Sequence, residues 1–543
     1  MSERQELLKR LERLNAIGIA LSAERDNKRL LEMILLGAKE ITNSDGGTLY
    51  TVTDDHALKF EIMQTETLGI KMGGTTGKEI PFPPIPLYFP DGSPNLNSVS
   101  AFCALNDSTV NIVDAYEVEG FDFSGTRKFD QNTGYRSKSF LTIPMKNHEN
   151  EIIGVLQLLN AIDPKTSEII PFSPENQQLV ESLASQAAVA LTNHNLIEGL
   201  KNLFEAFIEM IADAIDEKSP YTGGHCQRVP ELTMMLAEAA VKTQVGPLKD
   251  FKLTEKEIYE LRIAAWLHDC GKVATPESVM DKPTKLTTIF DRIDLIGQRF
   301  ELLKMQAECD LLRKQMHALH EGKSLDMSKL EVQLATFKQQ LDDDRDFLSK
   351  ANIGGEFMTP EHQQRVVDIS RYQLADAHGN QNNFLTDDEV YNLNIPRGTL
   401  TSEERTIINN HIVVTINMLE SLPYPKDLKR VPEYAGGHHE RMDGKGYPRG
   451  LTRAQMSIPA RVMGIADIFE ALTSRDRPYK KAKTISESLY ILGKMKEDSH
   501  IDPDLFDIFI REKVYMQYAE LFLEPEQIDE VDESKIPGYC PAL

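Results

Sequence analysis

Gly437-His438-His439-Glu440-Arg441-Met442-Asp443-Gly444-Lys445-Gly446-Tyr447-Pro448 places two adjacent imidazoles before a segment in which Gly444, Gly446 and Pro448 exclude a regular helix or central strand. Such a loop holds a rigid irregular path and lets backbone approach a ligand closely. Working outward, four further stretches set His or Asp where an apolar pattern predicts burial. Ile263-Ala264-Ala265-Trp266-Leu267 runs directly into His268-Asp269-Cys270-Gly271-Lys272, and Thr222-Gly223-Gly224-His225 precedes a helix expected from about His225 to Val241. Thr401-x-x-Glu404 is a capping box, opening a helix expected to carry His411. From Pro459 onward, Val462, Met463, Ile465, Ala466, Ile468, Phe469 and Leu472 cover nearly every side of a helix with Asp467 inside it. A helix apolar all round is buried, so its one central carboxylate needs a cation. A His–Asp pair buried without partners would likewise cost several kcal/mol. The five stretches together read as a metal site in an all-α unit.

The rest of the composition bounds the answer. At 543 residues the chain is too long for one core, and 41% hydrophobic with 27% charged residues is globular. An excess of 84 acidic over 60 basic residues speaks against nucleic acid or an anionic membrane as partner. Cys103, Cys226, Cys270, Cys309 and Cys540 show no C-x-x-C spacing, which fits a reducing compartment. No apolar run of about 18 residues and no signal peptide stands out, so a cytoplasmic location is expected.

Toward the N-terminus, Leu7, Leu11, Leu14, Ile17 and Leu21 give one amphipathic helix, and residues 29–41 a second, ended by an expected turn at Asn43-Ser44-Asp45-Gly46-Gly47. Leu58, Phe60 and Ile62 alternate as in a strand, and Phe140–Met145 with Ile152–Leu159 flank Asn147–Asn150 as in a hairpin. This is an α+β sensor pattern. Ser173-Pro174 then opens a long helix whose Leu179, Leu183, Ala187, Ala190, His194, Ile197, Leu200, Phe204, Phe207, Ile211 and Ala214 alternate three and four apart. It is read as a parallel dimer stalk in preference to a helix packed on each domain in turn. Between Leu286 and Leu400, one stripe (Ile289, Ile293, Ile296, Phe300, Leu303, Ala307) and another (Leu330, Leu334, Phe337, Leu341) flank a turn at His320–Ser324. An antiparallel helical hairpin is expected there, followed by an irregular polar stretch through Pro396.

The candidate ligands are His225, His268, Asp269, His411, His438, His439 and Asp467. Seven exceed what one open-sited ion takes from protein, and two ions sharing a bridging carboxylate suit the number better. Mixed imidazole and carboxylate ligation fits iron, manganese, nickel or zinc. Lys272, just past Gly271, is placed to meet a phosphate oxygen as charge builds.

The N-terminal region resembles a GAF domain, carried by Asp45–Tyr50, Asn111–Tyr116, Asp130–Pro144 and Ile153–Asn160. That resemblance implies a small-molecule sensor or a structural dimerisation module, and no cyclic-nucleotide signature names its ligand. His268-Asp269 with Gly271-Lys272 resembles the HD phosphohydrolase motif, and His438-His439-Glu440, Asp443-Gly444 and Gly446-Tyr447-Pro448 resemble the HD-GYP subfamily. The resemblance implies hydrolysis of cyclic di-GMP to pGpG or GMP. His225, His268, Asp269 and Asp467 would hold one metal, and Asp269 would bridge to a second held by His411, His438 and His439. Iron or manganese is the implied pair, with nickel or zinc as alternatives. Asp269 and Lys272 would be catalytic, while Lys272, Tyr447, Arg477 and Lys480 would hold substrate. Tyr221 stands where some members carry a glutamate supporting a third metal, so two ions are expected. The segment Ser474–Arg477 is one residue longer than the commonest spacing, and about 110 residues intrude between Leu286 and Leu400. The implied layout is a GAF domain over 1–195, a connecting helix over 173–216, an HD-GYP domain over 200–525 interrupted at 286–400, and a tail over 526–543. A homodimer is expected and a GGDEF-domain partner is implied. The rival readings are a 3',3'-cyclic GMP-AMP phosphodiesterase and a non-catalytic dinucleotide receptor.

Overall fold

The computed structural model describes residues 3–218, 224–355, 357–376, 378–475 and 482–541. They form two compact units, Met1–Phe204 and Glu205–Leu543.

The first unit begins with helices α1 (Glu3–Ala23) and α2 (Asn27–Thr42). Asp26 caps α2 by accepting from Arg29 N, and Asn43 ends it in the left-handed region at φ 53°. Strands β1 (Ser44–Val52), β2 (Ala57–Thr65), β3 (Ile70–Gly73) and β4 (Ile85–Pro86) follow, then α3 (Val99–Asn106), β5 (Val110–Ile112) and α4 (Ser124–Thr133). Strands β6 (Phe140–Lys146), β7 (Ile152–Ile162) and β8 (Ile169–Ile170) complete an antiparallel sheet of order β3-β2-β1-β7-β6-β5, with β4 on β2 and β8 on β7. The turn expected at Asn43–Gly47 is one residue deep, because Ser44 already starts the central strand. Gly46 and Gly47 belong to that strand for a steric reason. A Cβ on Gly46 would stand 2.9 Å from Gln64 O, and one on Gly47 would stand 2.8 Å from Leu35 Cδ1 and 2.9 Å from Gln157 O. Helix α5 (Pro174–Lys218) sends Leu179, Val180, Leu183, Ala184, Ala187 and Leu191 into the same core as Ile34, Leu35, Leu49 and Leu156. Leu196, Ile197, Leu200 and Leu203 of α5 are then exposed.

The second unit is helical. Its ligand-bearing frame starts with α6 (His225–Lys242), α7 (Glu255–Leu267) and a 3-10 turn, Cys270–Ala274. After α8 (Glu277–Met280) comes the insertion, with α9 (Ile293–His320), α10 (Met327–Ile353), α11 (Pro360–Ser370), β9 (Gln373–Ala375), β10 (Gln381–Asn383) and α12 (Asp387–Leu393). The helical hairpin is present as α9 and α10. Ile289, however, lies before α9 and is 99% exposed, so the inner stripe starts at Ile296, Phe300 and Leu303. The stretch expected to be irregular is folded: Leu286, Phe300, Leu341, Leu348, Val366, Ile369, Phe384 and Leu393 close one core. Thr359 caps α11, and Thr386 with Glu389 forms a full capping box on α12.

The frame resumes with α13 (Ser402–Asn409), α14 (His411–Glu420), α15 (Val431–Gly436) and α16 (Ile458–Thr473). The expected single helix from Thr401 is two: the chain bends at Asn410, and His411 is the first residue of α14. Helices α17 (Ile485–Glu497), α18 (Pro503–Arg511) and α19 (Val514–Phe522) finish the unit. Helix α16 packs on α6, and α14 packs on the 3-10 turn. Gly271 permits that last contact, since a Cβ there would lie 2.0 Å from His411 O and 2.5 Å from Thr415 N.

Candidate metal centre

Three of the imidazoles reach the centre from helix ends, where a backbone carbonyl supplies the orientation. His268 caps the C-terminus of α7, and its Nδ1 donates to Ala265 O at 2.7 Å. His411 Nδ1 donates to Ile408 O, and His438 Nδ1 to Ala435 O at 2.6 Å. A carbonyl only accepts, so the proton sits on Nδ1 in all three rings and each Nε2 presents a lone pair. Those lone pairs converge. His268 Nε2 lies 3.3 Å from Asp269 Oδ2, and His411 Nε2 lies 3.3 Å from Asp269 Oδ1. His439 Nε2 is 3.1 Å from His411 Nε2.

Two groups result. Asp269, His411, His438 and His439 bring ligand atoms within 4.8 Å of one another, and so do His225, His268 and Asp467. Asp269 touches both, its Oδ2 lying 3.2 Å from His225 Nε2. Asp467 Oδ1 stands 3.5 Å from His225 Nε2 and 3.9 Å from His268 Nε2. Asp269 Oδ1 and His438 Nε2 are buried without a hydrogen-bond partner. Orphaned acceptors aimed at one another are costly unless a cation lies between them, so these residues fit a metal pair.

The electrostatics agree. Burial, reinforced by His268, pushes His438 down to about 3, and burial with His438 beside it holds His439 well below its usual value. Both rings are therefore neutral at pH 7, as ligation requires. Burial opposes the Asp269 charge, but the Lys272 ammonium and the hydrogen bond from His225 outweigh it and hold the carboxyl well below the usual carboxylate range. Lys272 Nζ sits 2.6 Å from Asp269 Oδ2, and although burial disfavours its charge, Asp269 raises its pKa and keeps it an ammonium.

A residue absent from the expected ligand set orients His225. Glu470, 1% exposed, meets His225 Nδ1 at 2.5 Å and Arg228 Nε at 2.7 Å. Burial resists the charge on both partners, yet their attraction takes Glu470 down to about 2 and, with Asp269, His225 up to about 10, so a metal taking His225 Nε2 would have to displace a proton from that ring. Asp467 is thus one of two carboxylates inside α16, three residues apart on one face. That spacing is the signal by which Glu470 could have been found. Such carboxylate–histidine contacts fix tautomer and raise ligand basicity.

The loop after His439 is tied by Glu440, whose carboxylate accepts Arg449 N at 2.7 Å and Leu451 N at 2.8 Å. Tyr447 stacks on His439 with ring centroids 4.8 Å apart, and burial lifts its phenol to about 12, so it stays protonated. Tyr221, Arg477 and Lys480 lie outside the described residues.

Residues 26–191 match the GAF domain family and residues 386–505 the HD domain family. The chain carries an HD domain after a GAF domain. The HD match includes His411, His438, His439 and Asp467, whereas His225, His268 and Asp269 join the HD centre through geometry. Over 351 residues the chain is 24% identical to 3'3'-cGAMP-specific phosphodiesterase 3 of Vibrio cholerae, covering 63% of this chain and 48% of that protein. It is 42% identical over 91 residues to 3'3'-cGAMP-specific phosphodiesterase 1 of the same organism, 17% of this chain and 20% of that one. Against a cyclic di-GMP phosphodiesterase of Thermotoga maritima it is 30% identical over 178 residues, 28% and 48% of the two chains. The chain thus spans from a fifth to about half the length of these relatives. Among the described residues, no helix is long and apolar enough to cross a membrane.

Proposed function

We propose that the HD unit is a metal-dependent phosphodiesterase that hydrolyses cyclic di-GMP to pGpG or GMP. The observation that carries this reading is the convergence of imidazole lone pairs on both oxygens of Asp269. His225, His268, Asp269 and Asp467 would hold one divalent ion, and Asp269, His411, His438 and His439 another, with iron or manganese favoured and nickel or zinc as alternatives. Bound there, such a pair supplies Lewis acidity toward a phosphoryl oxygen and lowers the pKa of water for in-line attack.

The chain's own groups do the rest. Asp269 bridges the two halves and keeps its negative charge. Lys272, an ammonium a fifth exposed at the edge of the centre, neutralises a non-bridging phosphate oxygen as negative charge accumulates there. Glu470 and Arg228 keep His225 oriented, and Tyr447 shields His439 while offering a protonated phenol toward substrate. Arg477 and Lys480 are proposed phosphate-gripping residues on sequence grounds alone.

The alternative substrate is 3',3'-cyclic GMP-AMP, for which the two Vibrio cholerae relatives are named, as the Thermotoga maritima relative is for cyclic di-GMP. Protein purified anaerobically should contain about two metals per chain and turn over cyclic di-GMP beside cyclic GMP-AMP, with Asp269→Ala inactive. Bound metal without turnover of either dinucleotide refutes the enzyme reading in favour of a receptor.

The GAF domain is proposed to regulate the rate in response to a small ligand. A homodimer is proposed along α5, supported by Leu196, Leu200, Leu203, Phe207 and Met210, exposed at four- and three-residue spacing. A GGDEF-domain protein is a proposed partner. Deleting residues 1–170 should change the rate without removing metal, and unchanged kinetics would count against regulation.

A further inference from the structure

The last turns of α5 meet two of the backbone segments that deliver ligands to the metal centre, the one after Asp269 and the one at His225. Lys218 Nζ donates to three carbonyls: Lys272 O at 3.2 Å, Val273 O at 2.5 Å and Thr275 O at 2.8 Å. All three belong to the 3-10 turn behind Asp269 or to the residue that ends it. An ammonium has three protons, so this one spends its whole donor capacity on that turn. A lysine at a helix C-terminus ordinarily complements the last carbonyls of its own helix. Here the acceptors lie 54 to 57 residues further along the chain.

The same end of α5 holds the other segment. Asp216, 7% exposed, accepts Cys226 N at 3.1 and 3.4 Å, beside His225. Asp213 Oδ1 accepts Gln227 Nε2 at 3.0 Å. Ile208, Ala212 and Ile215 are buried alongside and keep this part of α5 seated. Lys272 N donates to Asp269 O at 2.9 Å and Thr275 N to Lys272 O at 3.0 Å, and short-range bonds of this kind open easily without outside support.

We propose that Lys218 is a positioning residue of the catalytic turn: it pins residues 272–275 so that Lys272 keeps its ammonium against Asp269. The role assigned to Lys272 rests on the phosphodiesterase reading; the clamp itself rests only on the hydrogen bonds.

The test uses the full metal-loaded chain, with Lys218→Met, which keeps the apolar stem and removes the donors, and Lys218→Arg, which restores charged donors. Hydrogen–deuterium exchange of peptides spanning 268–276 is read beside metal content and cyclic di-GMP kinetics. In Lys218→Met the amides of Lys272 and Thr275 should exchange about tenfold faster, the equivalent of one lost hydrogen bond. Peptides from the insertion core and the metal content should not change. Turnover should fall about tenfold in kcat with KM within about twofold, as expected when only transition-state contacts loosen. Lys218→Arg should recover part of the protection. Unchanged exchange at 268–276 overturns the proposal whatever the kinetics, and so does faster exchange throughout the unit, which would make Lys218 merely structural. Wild-type protein that hydrolyses neither dinucleotide, yet shows the local exchange difference, overturns the phosphodiesterase reading and leaves the clamp standing.

Discussion

The insertion and the metal centre both bury charge, and they handle it in opposite ways. In the insertion, Glu389 is 2% exposed and takes a two-pronged bond from Arg299 at 2.7 and 2.9 Å. Asp344, equally buried, is met by Arg365 at 2.9 Å and Tyr372 at 2.8 Å. At its base, just outside the insertion, Lys282 lies 2.8 Å from Glu404 of α13, and Lys285 gives its ammonium to Leu393 O and Ile395 O. Opposite charges and acceptors meet donors, and the result is architecture. In the metal centre two carboxylates face five imidazoles, three of which have already given their Nδ1 protons to backbone. Asp269 Oδ1 and His438 Nε2 are left with nothing to accept. Burial of charge is common to both, and it is the unpaired, convergent acceptors that mark a ligand site.

That contrast can be broken most severely at its centre. Asp269→Ala should abolish turnover by at least about a thousandfold and remove metal from both groups, measured by elemental analysis beside kinetics, while the insertion stays folded. The mirror experiment is Arg299→Ala. Leaving the buried Glu389 carboxylate without its guanidinium should destabilise the unit by about 3 kcal/mol in denaturant titration, with metal content unchanged. Loss of metal there would erase the distinction between the two regions.

A milder change sharpens it. Glu470→Gln keeps the shape but weakens the carboxylate–histidine contact, and should lower metal affinity by about 10- to 100-fold in chelator competition, with little effect on folding. Chelation of the wild-type protein should lower the melting temperature of the HD unit, since a ligand bound only to the native state contributes RT ln(1 + [L]/Kd). The smallest effect concerns pH. Burial opposes the Glu389 charge, but Arg299 wins and holds the carboxyl below its ordinary range. Its contribution is therefore complete above about pH 4.3 and is lost as pH falls through the lowered folded-state value. The stability gap between wild type and Glu389→Gln should persist at pH 7 and close in acid.

Much of the centre was legible because its chemistry contradicts its surroundings. His268-Asp269 after Ala264-Ala265-Trp266-Leu267, and Asp467 within an apolar helix, are conflicts visible in one dimension. Glu470 was less visible. A second carboxylate one turn along reads as an ordinary charged position until α6 brings His225 and Arg228 against it. The polar stretch before Pro396 failed for a related reason. Its order depends on Arg299 reaching Glu389 and on Arg365 and Tyr372 reaching Asp344, pairings across 90, 21 and 28 residues that no local pattern displays. Its capping residues, Thr359 and the Thr386–Glu389 pair, were the local trace of that order. Gly46 and Gly47 show the same limit in the first unit, where a turn composition serves a strand crowded by Gln64, Leu35 and Gln157.

By itself, then, the sequence determined the α+β and all-α character of the two units, the amphipathic run of α5, and the residue types able to ligate metal. Periodicity and the cost of buried charge act locally, and both can be read along the chain. Tertiary structure alone decided that Asp269 faces both ligand groups, that Glu470 backs His225, and that Lys218 grips the turn behind Lys272. Each of these depends on where a side chain's partner arrives from a distant helix, and hydrogen-bond geometry is sensitive to tenths of an ångström that spacing does not encode.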